Sequence, residues 1–201
     1  NADAAREALE AAGLDLEAIQ PADLEKSLKS AIDEGTKRVL VAGGDGTIAT
    51  AAALVAGSDV ELAILPGGTL NHFAKDLGIP LDVEAAAATI AAGHTVDVDV
   101  GEVNGQVFIN NSSLGLYPQI VRHRDTQQRR LGRGKWPALA WATLMAVRRS
   151  AFMTVRLKLD DVESAYRTTF VFIGNNEYVM EGFSIGKRER LDGGRLSIYV
   201  S

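Results

Sequence analysis

The chain has 201 residues, a formal net charge of −5 and no cysteine, and 46% of its residues are hydrophobic. This hydrophobic content is enough for a core in one or two domains, while the missing thiols exclude a disulfide scaffold and a thiolate zinc site. The negative charge argues against a nucleic-acid partner, and the longest apolar stretch, residues 137–147, is shorter than the roughly 18 residues of a membrane span. The absence of cysteine fits a reducing compartment, so we expect a cytoplasmic protein.

Two helices are predicted first in chain order. One is Ala/Glu-rich and covers residues 4–12, and the other covers residues 22–34, with apolar side chains on one face and Gly35 at its end. An α/β unit normally begins with a strand, and none is evident here. We therefore expect a fragment that is truncated at both ends, with its first strand and its C-terminal part missing.

A glycine-rich sequence then follows a buried strand. Residues 39–42 are apolar, residues 43–47 (the first glycine bend) read Gly-Gly-Asp-Gly-Thr, and a helix is predicted for residues 47–56. Glycines let backbone N–H groups approach an anion closely, and a helix N-terminus adds partial positive charge. The pattern predicts phosphate binding, with a plain turn as the alternative. Asp45 beside phosphate would be repulsive unless Mg²⁺ bridges the two or the carboxylate faces away.

A second strand, residues 61–65, also ends in glycines. Residues 66–71 (the second glycine bend) read Pro-Gly-Gly-Thr-Leu-Asn, and a helix is predicted for residues 72–77. Two strands joined by one helix are parallel, so both bends should lie at the carboxyl edge of one sheet, where α/β folds bind ligands. A Rossmann dinucleotide site is a weaker interpretation, because the acidic residue Glu61 begins the second strand instead of ending it.

Beyond residue 93 the patterning changes from helical to β, after an Ala-rich helix that Asp82 caps. Valines alternate with Asp97 and Asp99 over residues 96–100, and Asn104-Gly105 predicts a hairpin. Further strands are predicted at residues 107–109, 154–159, 167–173 and 195–200, with residues 154–159 and 167–173 paired as a hairpin around Asp160-Asp161. We place a domain boundary near residue 94, between an α/β domain of residues 1–94 and a β-rich domain of residues 95–201.

A basic stretch, residues 122–135, carries six Lys or Arg and one Asp. It predicts either transient contact with an anionic membrane surface, at the inner membrane face, or a solvated loop. The apolar helix predicted for residues 137–150 is likewise either a membrane-facing stripe or part of the core.

The two glycine bends together resemble the diacylglycerol kinase catalytic-domain family, which includes bacterial diacylglycerol kinases and sphingosine kinases. The second motif extends to His-Phe-Ala-Lys at residues 72–75, and further matches lie at residues 99–101, 108–110, 113–115 and 191–196. NAD kinases and phosphofructokinases resemble the first motif but are not expected to carry the second. The resemblance implies an NAD kinase/diacylglycerol kinase-like fold, an α/β N-terminal domain with a parallel sheet followed by a mostly antiparallel β-sandwich domain.

The resemblance also implies an ATP-dependent lipid kinase that transfers the γ-phosphate of Mg-ATP to a lipid hydroxyl such as that of diacylglycerol. Asp99 matches the family's Asp-x-Gly motif, and Asp45 and Asp99 are the candidate catalytic residues, with Asp99 as acceptor of the hydroxyl proton. The implied ATP-binding residues are Gly43, Gly44, Asp45, Gly46, Thr47, Gly68, Thr69 and Asn71. By periodicity alone, Asp97 and Asp99 would instead be the solvent face of a half-buried strand.

Departures from the family pattern bear on activity. His72 stands where the family usually has Asp, and Gly193 and Ser197 follow Asp192 where some relatives place acidic ligands of a structural Mg²⁺, so we assign no metal there. The family also carries an acidic residue near its C-terminus, in a segment that returns to the first domain, and we expect that segment to lie beyond residue 201. We expect weak or no turnover from these 201 residues, and the alternatives are a non-catalytic nucleotide-binding module of the same fold or an NAD kinase-like enzyme.

Overall fold

The computed structural model describes residues 2–15, 24–115, 152–179 and 186–200. The predicted basic stretch at residues 122–135 and the predicted apolar helix at residues 137–150 lie outside the described residues. Within the described ranges, no helix has the length and apolar character needed to cross a membrane. The chain divides into two compact units, Asn1–Asn110 with Asn175–Leu196, and Asn111–Gly174 with Ser197–Ser201.

The described helices and strands follow one another in a simple order. They are α1 (Ala2–Ala11), α2 (Leu24–Asp33), β1 (Arg38–Gly43), α3 (Asp45–Val55), β2 (Glu61–Pro66), α4 (His72–Asp76), α5 (Val83–Ala91), β3 (Gly101–Val103), β4 (Gln106–Phe108), β5 (Asn111–Gly115), β6 (Met153–Leu159), β7 (Val162–Thr168), β8 (Phe170–Asn175) and β9 (Leu196–Val200).

The first unit is built around the parallel pair β1 and β2. On one side of the pair, Val39 and Val41 of β1 pack in one buried cluster with Leu28 of α2 and Ala51 of α3. A second cluster joins β2 to α1 and α5 and includes the partly buried Leu40 of β1. Helices therefore cover both sides of the strands, which explains why the strands read as continuous apolar runs rather than alternating ones.

The predicted α/β elements are confirmed with small shifts at their ends. Helix α3 begins at Asp45, two residues before the predicted start, because Gly44 takes the extended N-cap position. The predicted cap at Asp82 is also confirmed, since its Oδ1 accepts a hydrogen bond of 3.0 Å from the backbone N–H of Ala85. These features depend on a few neighbouring residues, and that is why local patterning finds them.

The strand predicted at residues 96–100 is wrong, because these residues form no strand. The Asp99 N–H donates to the Leu191 carbonyl at 2.7 Å, and the Asp99 carbonyl accepts from Asn175 Nδ2 at 2.6 Å. The predicted hairpin is confirmed, with β3 and β4 antiparallel and positive φ angles at both Asn104 and Gly105. The regular pairing begins only at Gly101.

The second unit holds two antiparallel strand pairs. Strand β5 pairs with β8, which lies beside β9, and β6 pairs with β7. The hairpin around Asp160-Asp161 is confirmed, but its predicted return strand at residues 167–173 is wrong. Leu159 pairs directly with Val162, so the return strand β7 starts immediately after the turn and leaves β8 to pair with β5.

The predicted fold class is confirmed, with a parallel sheet in the N-terminal part and antiparallel sheets in the C-terminal part. The domain boundary near residue 94 stays a prediction.

Candidate functional site

The two glycine bends lie side by side at the carboxyl edge of the parallel sheet, as predicted. Gly43, the last residue of β1, pairs with Pro66, the last residue of β2. The next amide along, that of Gly67, donates to the Gly43 carbonyl at 2.8 Å. A backbone hydrogen bond therefore joins the bends where the strands end.

Glycine is required where the bends approach each other. A Cβ on Gly68 would lie 2.5 Å from the Gly44 Cα, and a Cβ on Gly44 would lie 3.1 Å from the Gly68 Cα. Gly46 differs, because a Cβ there would meet nothing within 4 Å. Gly44 and Gly68 thus allow backbone to pack on backbone, whereas Gly46 leaves open space beside the start of α3.

Asn71 shapes the second glycine bend with its side chain. Its backbone is left-handed, with φ of 50°, and only 5% of the residue is exposed. Its Oδ1 accepts from the Gly68 N–H at 2.9 Å, and its Nδ2 donates to the Gly68 carbonyl at 2.9 Å. Both ends of the Asn71 amide are therefore used inside the bend, while Thr69 beside it is exposed.

Asp45 connects the first glycine bend to the helix that follows the second. Its Oδ1 accepts a hydrogen bond of 3.2 Å from the backbone N–H of Phe73, in the first turn of α4. Asn71, the N-cap residue of α4, makes no side-chain cap bond of its own. Asp45 therefore acts as the cap of α4, a role that the sequence did not predict.

The start of α3 presents backbone donors to the same edge. Its N-cap residue is Gly44, and no side chain caps the helix. The first N–H groups of a helix have no acceptor within the helix, and the helix dipole places partial positive charge there. Gly46 and Thr47 in this first turn are exposed. The site thus offers positive charge and N–H donors suited to an anion such as phosphate.

Asp99 is half-buried and held by distant parts of the chain. Its Oδ2 accepts from Asn176 Nδ2 at 3.0 Å and from the Gly194 N–H at 2.6 Å. The interpretation of Asp99 as a solvent-facing strand residue is therefore wrong, although Asp97 is exposed. Within the described residues, no hydrogen bond joins the Asp99 side chain to either glycine bend.

A buried arginine that the sequence analysis missed lies in the same unit. Arg188 is 1% exposed, and its Nε donates to Asp76 Oδ2 of α4 at 2.8 Å. Its Nη1 donates to the carbonyls of Ile109, at 2.7 Å, and Asn175, at 3.1 Å, and its Nη2 donates to Asn110 Oδ1 at 2.7 Å. Arg188 thereby links α4 to the backbone beside Asp99, since Asn175 also donates to the Asp99 carbonyl.

Two aromatic rings also contact the Arg188 guanidinium, with ring centres 5.8 Å away at Phe73 and 5.4 Å away at Tyr178. No sequence pattern marks Arg188 as buried, because it stands in the charged run Lys-Arg-Glu-Arg at residues 187–190, which is typical of a solvated loop. Its neighbours Lys187 and Glu189 are indeed exposed.

Asp192 makes an exposed ion pair. Arg190 Nε lies 3.1 Å from Asp192 Oδ1, and this hydrogen bond together with the arginine charge lowers the pKa of Asp192 and raises the pKa of Arg190. Among the described residues, no group of three or more His, Cys, Asp or Glu side chains is arranged to hold a metal ion.

Comparison with known proteins identifies relatives of this fold and site. A sequence model of the diacylglycerol kinase catalytic domain matches residues 1–103. A Pseudomonas fluorescens protein named "Probable lipid kinase YegS-like" is 37% identical over 123 residues, which are 59% of this chain and 41% of that protein. A Mycobacterium tuberculosis protein named diacylglycerol kinase is 32% identical over 147 residues, covering 70% of this chain and 47% of that protein.

A crystal structure of a diacylglycerol kinase from Bacillus anthracis matches with a TM-score of 0.63 and 26% identity, over 92% of this chain and 60% of that one. The chain thus spans between two fifths and three fifths of the length of these relatives. The domain match covers more than half of the chain, so the resemblance predicted from the two glycine motifs is confirmed: the chain belongs to the diacylglycerol kinase catalytic-domain family.

Proposed function

We propose that this chain provides the nucleotide site and a catalytic carboxylate of an ATP-dependent lipid kinase, which transfers the γ-phosphate of Mg-ATP to a lipid hydroxyl such as that of diacylglycerol. The observation that carries the proposal is the contact of the two glycine bends at one edge of a parallel sheet, beside an uncapped helix start. The names of the relatives support a lipid as the phosphate acceptor.

In this proposal the glycine bends hold the phosphates of ATP through backbone N–H groups. Close packing of Gly44 on Gly68 and the hydrogen bond from the Gly67 N–H to the Gly43 carbonyl keep the bends together, and Asn71 fixes the shape of the second one. The exposed residues nearest a nucleotide are then Gly46, Thr47 and Thr69. The open space beside Gly46 supports close approach of a phosphate to the backbone.

Asp45 fits a Mg²⁺ ion that arrives with the nucleotide. Mg²⁺ commonly binds through one or two carboxylates together with phosphate oxygens, so one protein carboxylate is sufficient. Within the described residues, the Oδ2 of Asp45 has no hydrogen-bond partner, whereas its Oδ1 caps α4. When bound, Mg²⁺ would neutralise negative charge on the transferred phosphoryl group.

Asp99 would accept the proton of the lipid hydroxyl. As the hydroxyl oxygen forms its bond to the γ-phosphorus, the bond from that phosphorus to the β–γ bridging oxygen breaks and ADP leaves with the electron pair. The hydroxyl proton passes to the Asp99 carboxylate. Phosphoryl transfer depends mainly on alignment, so the hydrogen bonds that hold Asp99 in place support this role.

A non-catalytic nucleotide-binding module of the same fold is the second candidate. It is favoured by His72, the exposed first residue of α4, which stands where the family usually has Asp. Such a module would bind ATP without transferring phosphate. The lipid kinase proposal also includes a location. Because its acceptor is a lipid, we propose that the protein makes transient contact with anionic lipids at the inner face of the membrane.

The test uses the full-length protein, Mg-ATP labelled at the γ-phosphate, and three acceptors, namely diacylglycerol, a sphingoid base and NAD. We expect label on a lipid. ATP binding without transfer would support the non-catalytic module, and transfer to NAD alone would overturn the lipid kinase.

Two variants of Asp45 separate its metal role from its cap role. Asp45→Asn keeps an oxygen that can accept from the Phe73 N–H, and Asn caps helices as well as Asp does. We expect it to retain the native thermal midpoint but to lose about 100-fold in kcat, because the charge near the phosphates is gone. Asp45→Ala should also lose about 1 kcal/mol of stability with the cap. Native kcat in Asp45→Asn would exclude the metal role.

A further inference from the structure

The carboxylate of Asp99 is held through only one of its oxygens. Two donors from different segments converge on Oδ2, the side-chain Nδ2 of Asn176 at 3.0 Å and the backbone N–H of Gly194 at 2.6 Å. Within the part of the chain that the structure describes, Oδ1 accepts no hydrogen bond. The two oxygens of one side chain are therefore in different environments.

Asn176 is unusual in its own right. It is 1% exposed, and its backbone is left-handed, with φ of 66°, a conformation that Asn adopts more readily than most residues. Its Oδ1 accepts from the Gly193 N–H at 3.0 Å while its Nδ2 donates to Asp99. A Cβ on Gly193 would lie 2.6 Å from that Oδ1, so a glycine is needed for the contact.

These contacts form a closed arrangement. The side-chain amide of Asn176 donates to Asp99 at one end and accepts from the Gly193 backbone at the other, and the next amide, that of Gly194, returns to the same Asp99 oxygen. A carboxylate can otherwise rotate about its Cβ–Cγ bond with little preference between its two oxygens. Here any rotation that turns the carboxylate plane away from Asn176 Nδ2 and the Gly194 N–H would break two hydrogen bonds at once.

We propose that Asn176 is a positioning residue for Asp99. Together with the Gly194 amide, it fixes Oδ2 and leaves Oδ1 as the oxygen that accepts the proton of the phosphate acceptor. This inference rests on the proposed function, in which Asp99 is the proton acceptor. Its physical basis is that a catalytic group held in its reactive orientation before substrate arrives loses no further freedom during the reaction.

Asn176→Asp tests the inference with a nearly isosteric change. The new side chain tolerates the left-handed backbone and can still accept from the Gly193 N–H, but it presents an oxygen instead of an N–H to Asp99 Oδ2. We expect kcat to fall by about 10- to 100-fold while KM for ATP stays within about twofold of native, because alignment is lost and nucleotide binding is not.

Asn104→Asp is the matched control. Asn104 also has a left-handed backbone, with φ of 51°, but it lies exposed in the turn between β3 and β4. The same substitution there should leave kcat and KM native. A kcat for Asn176→Asp within about twofold of that of Asn104→Asp would overturn the proposal, because misplacing a catalytic group is expected to have a large effect.

Asn176→Gly covers the case in which Asn176→Asp does not fold. Glycine adopts the left-handed conformation without strain, so this variant removes both side-chain bonds and keeps the backbone. The same fall in kcat with native KM for ATP is expected. Native kcat in a folded Asn176→Gly protein would overturn the positioning role.

A substrate-free measurement separates this inference from the proposed function. Amide hydrogen exchange at Gly194, followed by NMR, reports its bond to Asp99. If the native protein phosphorylates no lipid, the proposed function fails, and the exchange rate then decides the positioning on its own. Exchange at Gly194 that is at least about 10-fold faster in Asn176→Asp than in the native protein supports the positioning role, since the bond from Gly194 to Asp99 is then lost. An unchanged rate overturns that role.

Discussion

The two glycine bends and the group that holds Asp99 are built in opposite ways, although both belong to the first compact unit. In the bends, backbone packs on backbone, and side chains are excluded where Gly44 meets Gly68. Around Asp99, side chains and loop amides converge from positions 77 and 95 residues away along the chain. The glycine bends depend on the absence of side chains, whereas the group around Asp99 depends on contacts between residues that are distant in the chain.

The difference shows which kinds of site can be read from a sequence. A bend that excludes side chains leaves a run of glycines between a strand and a helix, and that run is visible locally. The group around Asp99 uses an asparagine, two loop glycines and, through Asn175, the buried Arg188. None of these residue types is unusual in a loop, so no local pattern marks them.

The largest expected effect is a loss of stability in the region around Asp99. Arg188→Met removes one partner of a buried ion pair and leaves the charge of Asp76 in a largely buried position. Breaking such a pair by removing one partner destabilises a protein by about 3–5 kcal/mol. Urea unfolding should show this loss as a lower midpoint.

Arg190→Met is the control for Arg188→Met. Arg190 is also paired with an aspartate, but its side chain is largely exposed, so we expect at most a slight fall in the urea midpoint. Equal midpoints for the two variants would contradict the assignment of Arg188 as the buried link between α4 and the backbone beside Asp99.

An intermediate effect is expected in the glycine bends. Gly68→Ala places a methyl group 2.5 Å from the Gly44 Cα, where backbone must move, and we expect a loss of about 1–3 kcal/mol with weaker ATP binding. Gly46→Ala adds the same methyl group where nothing lies within 4 Å, so its thermal midpoint should stay native. Titration with ATP and thermal unfolding measure both variants.

The two glycine variants separate phosphate binding beside Gly46 from the packing of the two bends at Gly68. If ATP binding weakens in Gly46→Ala while its stability is native, the open space beside Gly46 is where the phosphate approaches. Equal stability of Gly68→Ala and Gly46→Ala would show that the bends do not need backbone contact, contrary to the structure.

The smallest expected effect concerns the exposed pair of Arg190 and Asp192. The hydrogen bond and charge of Arg190 lower the pKa of Asp192 in the folded protein, so the pair stabilises the fold at pH values above the ordinary Asp pKa of 3.8. This contribution is lost as the pH falls through the lowered folded pKa. Asp192→Asn should therefore have a slightly lower thermal midpoint than the native protein near neutral pH.

Salt provides the check on the Asp192 prediction. Both side chains are exposed, so about 1 M salt should remove the difference between native protein and Asp192→Asn. A difference that persists in salt, or below the lowered folded pKa, would mean that Asp192 contributes through something other than its pair with Arg190.

Part of the fold was predictable because neighbouring residues decide it. Asp82 caps α5 as expected, and the Asn104-Gly105 hairpin has the positive φ angles that its turn requires. The strand predicted at residues 96–100 is wrong because alternation of valine with aspartate permits a strand but does not supply a partner strand. In the fold, the backbone of Asp99 bonds to Leu191 and Asn175 instead of to a neighbouring strand.

The sequence by itself determined the family and the two glycine bends at one edge of a parallel sheet. These features depend on residues that are close together in the chain, namely strand and helix periodicity, the glycine runs and the single helix between the strands. Together they place both bends at the same edge of the sheet. Only the tertiary structure decided that Asp45 caps α4, that Asp99 is held by Asn176 and Gly194, and that Arg188 is buried. These contacts join residues far apart in the chain, and their geometry exists only once the elements have packed.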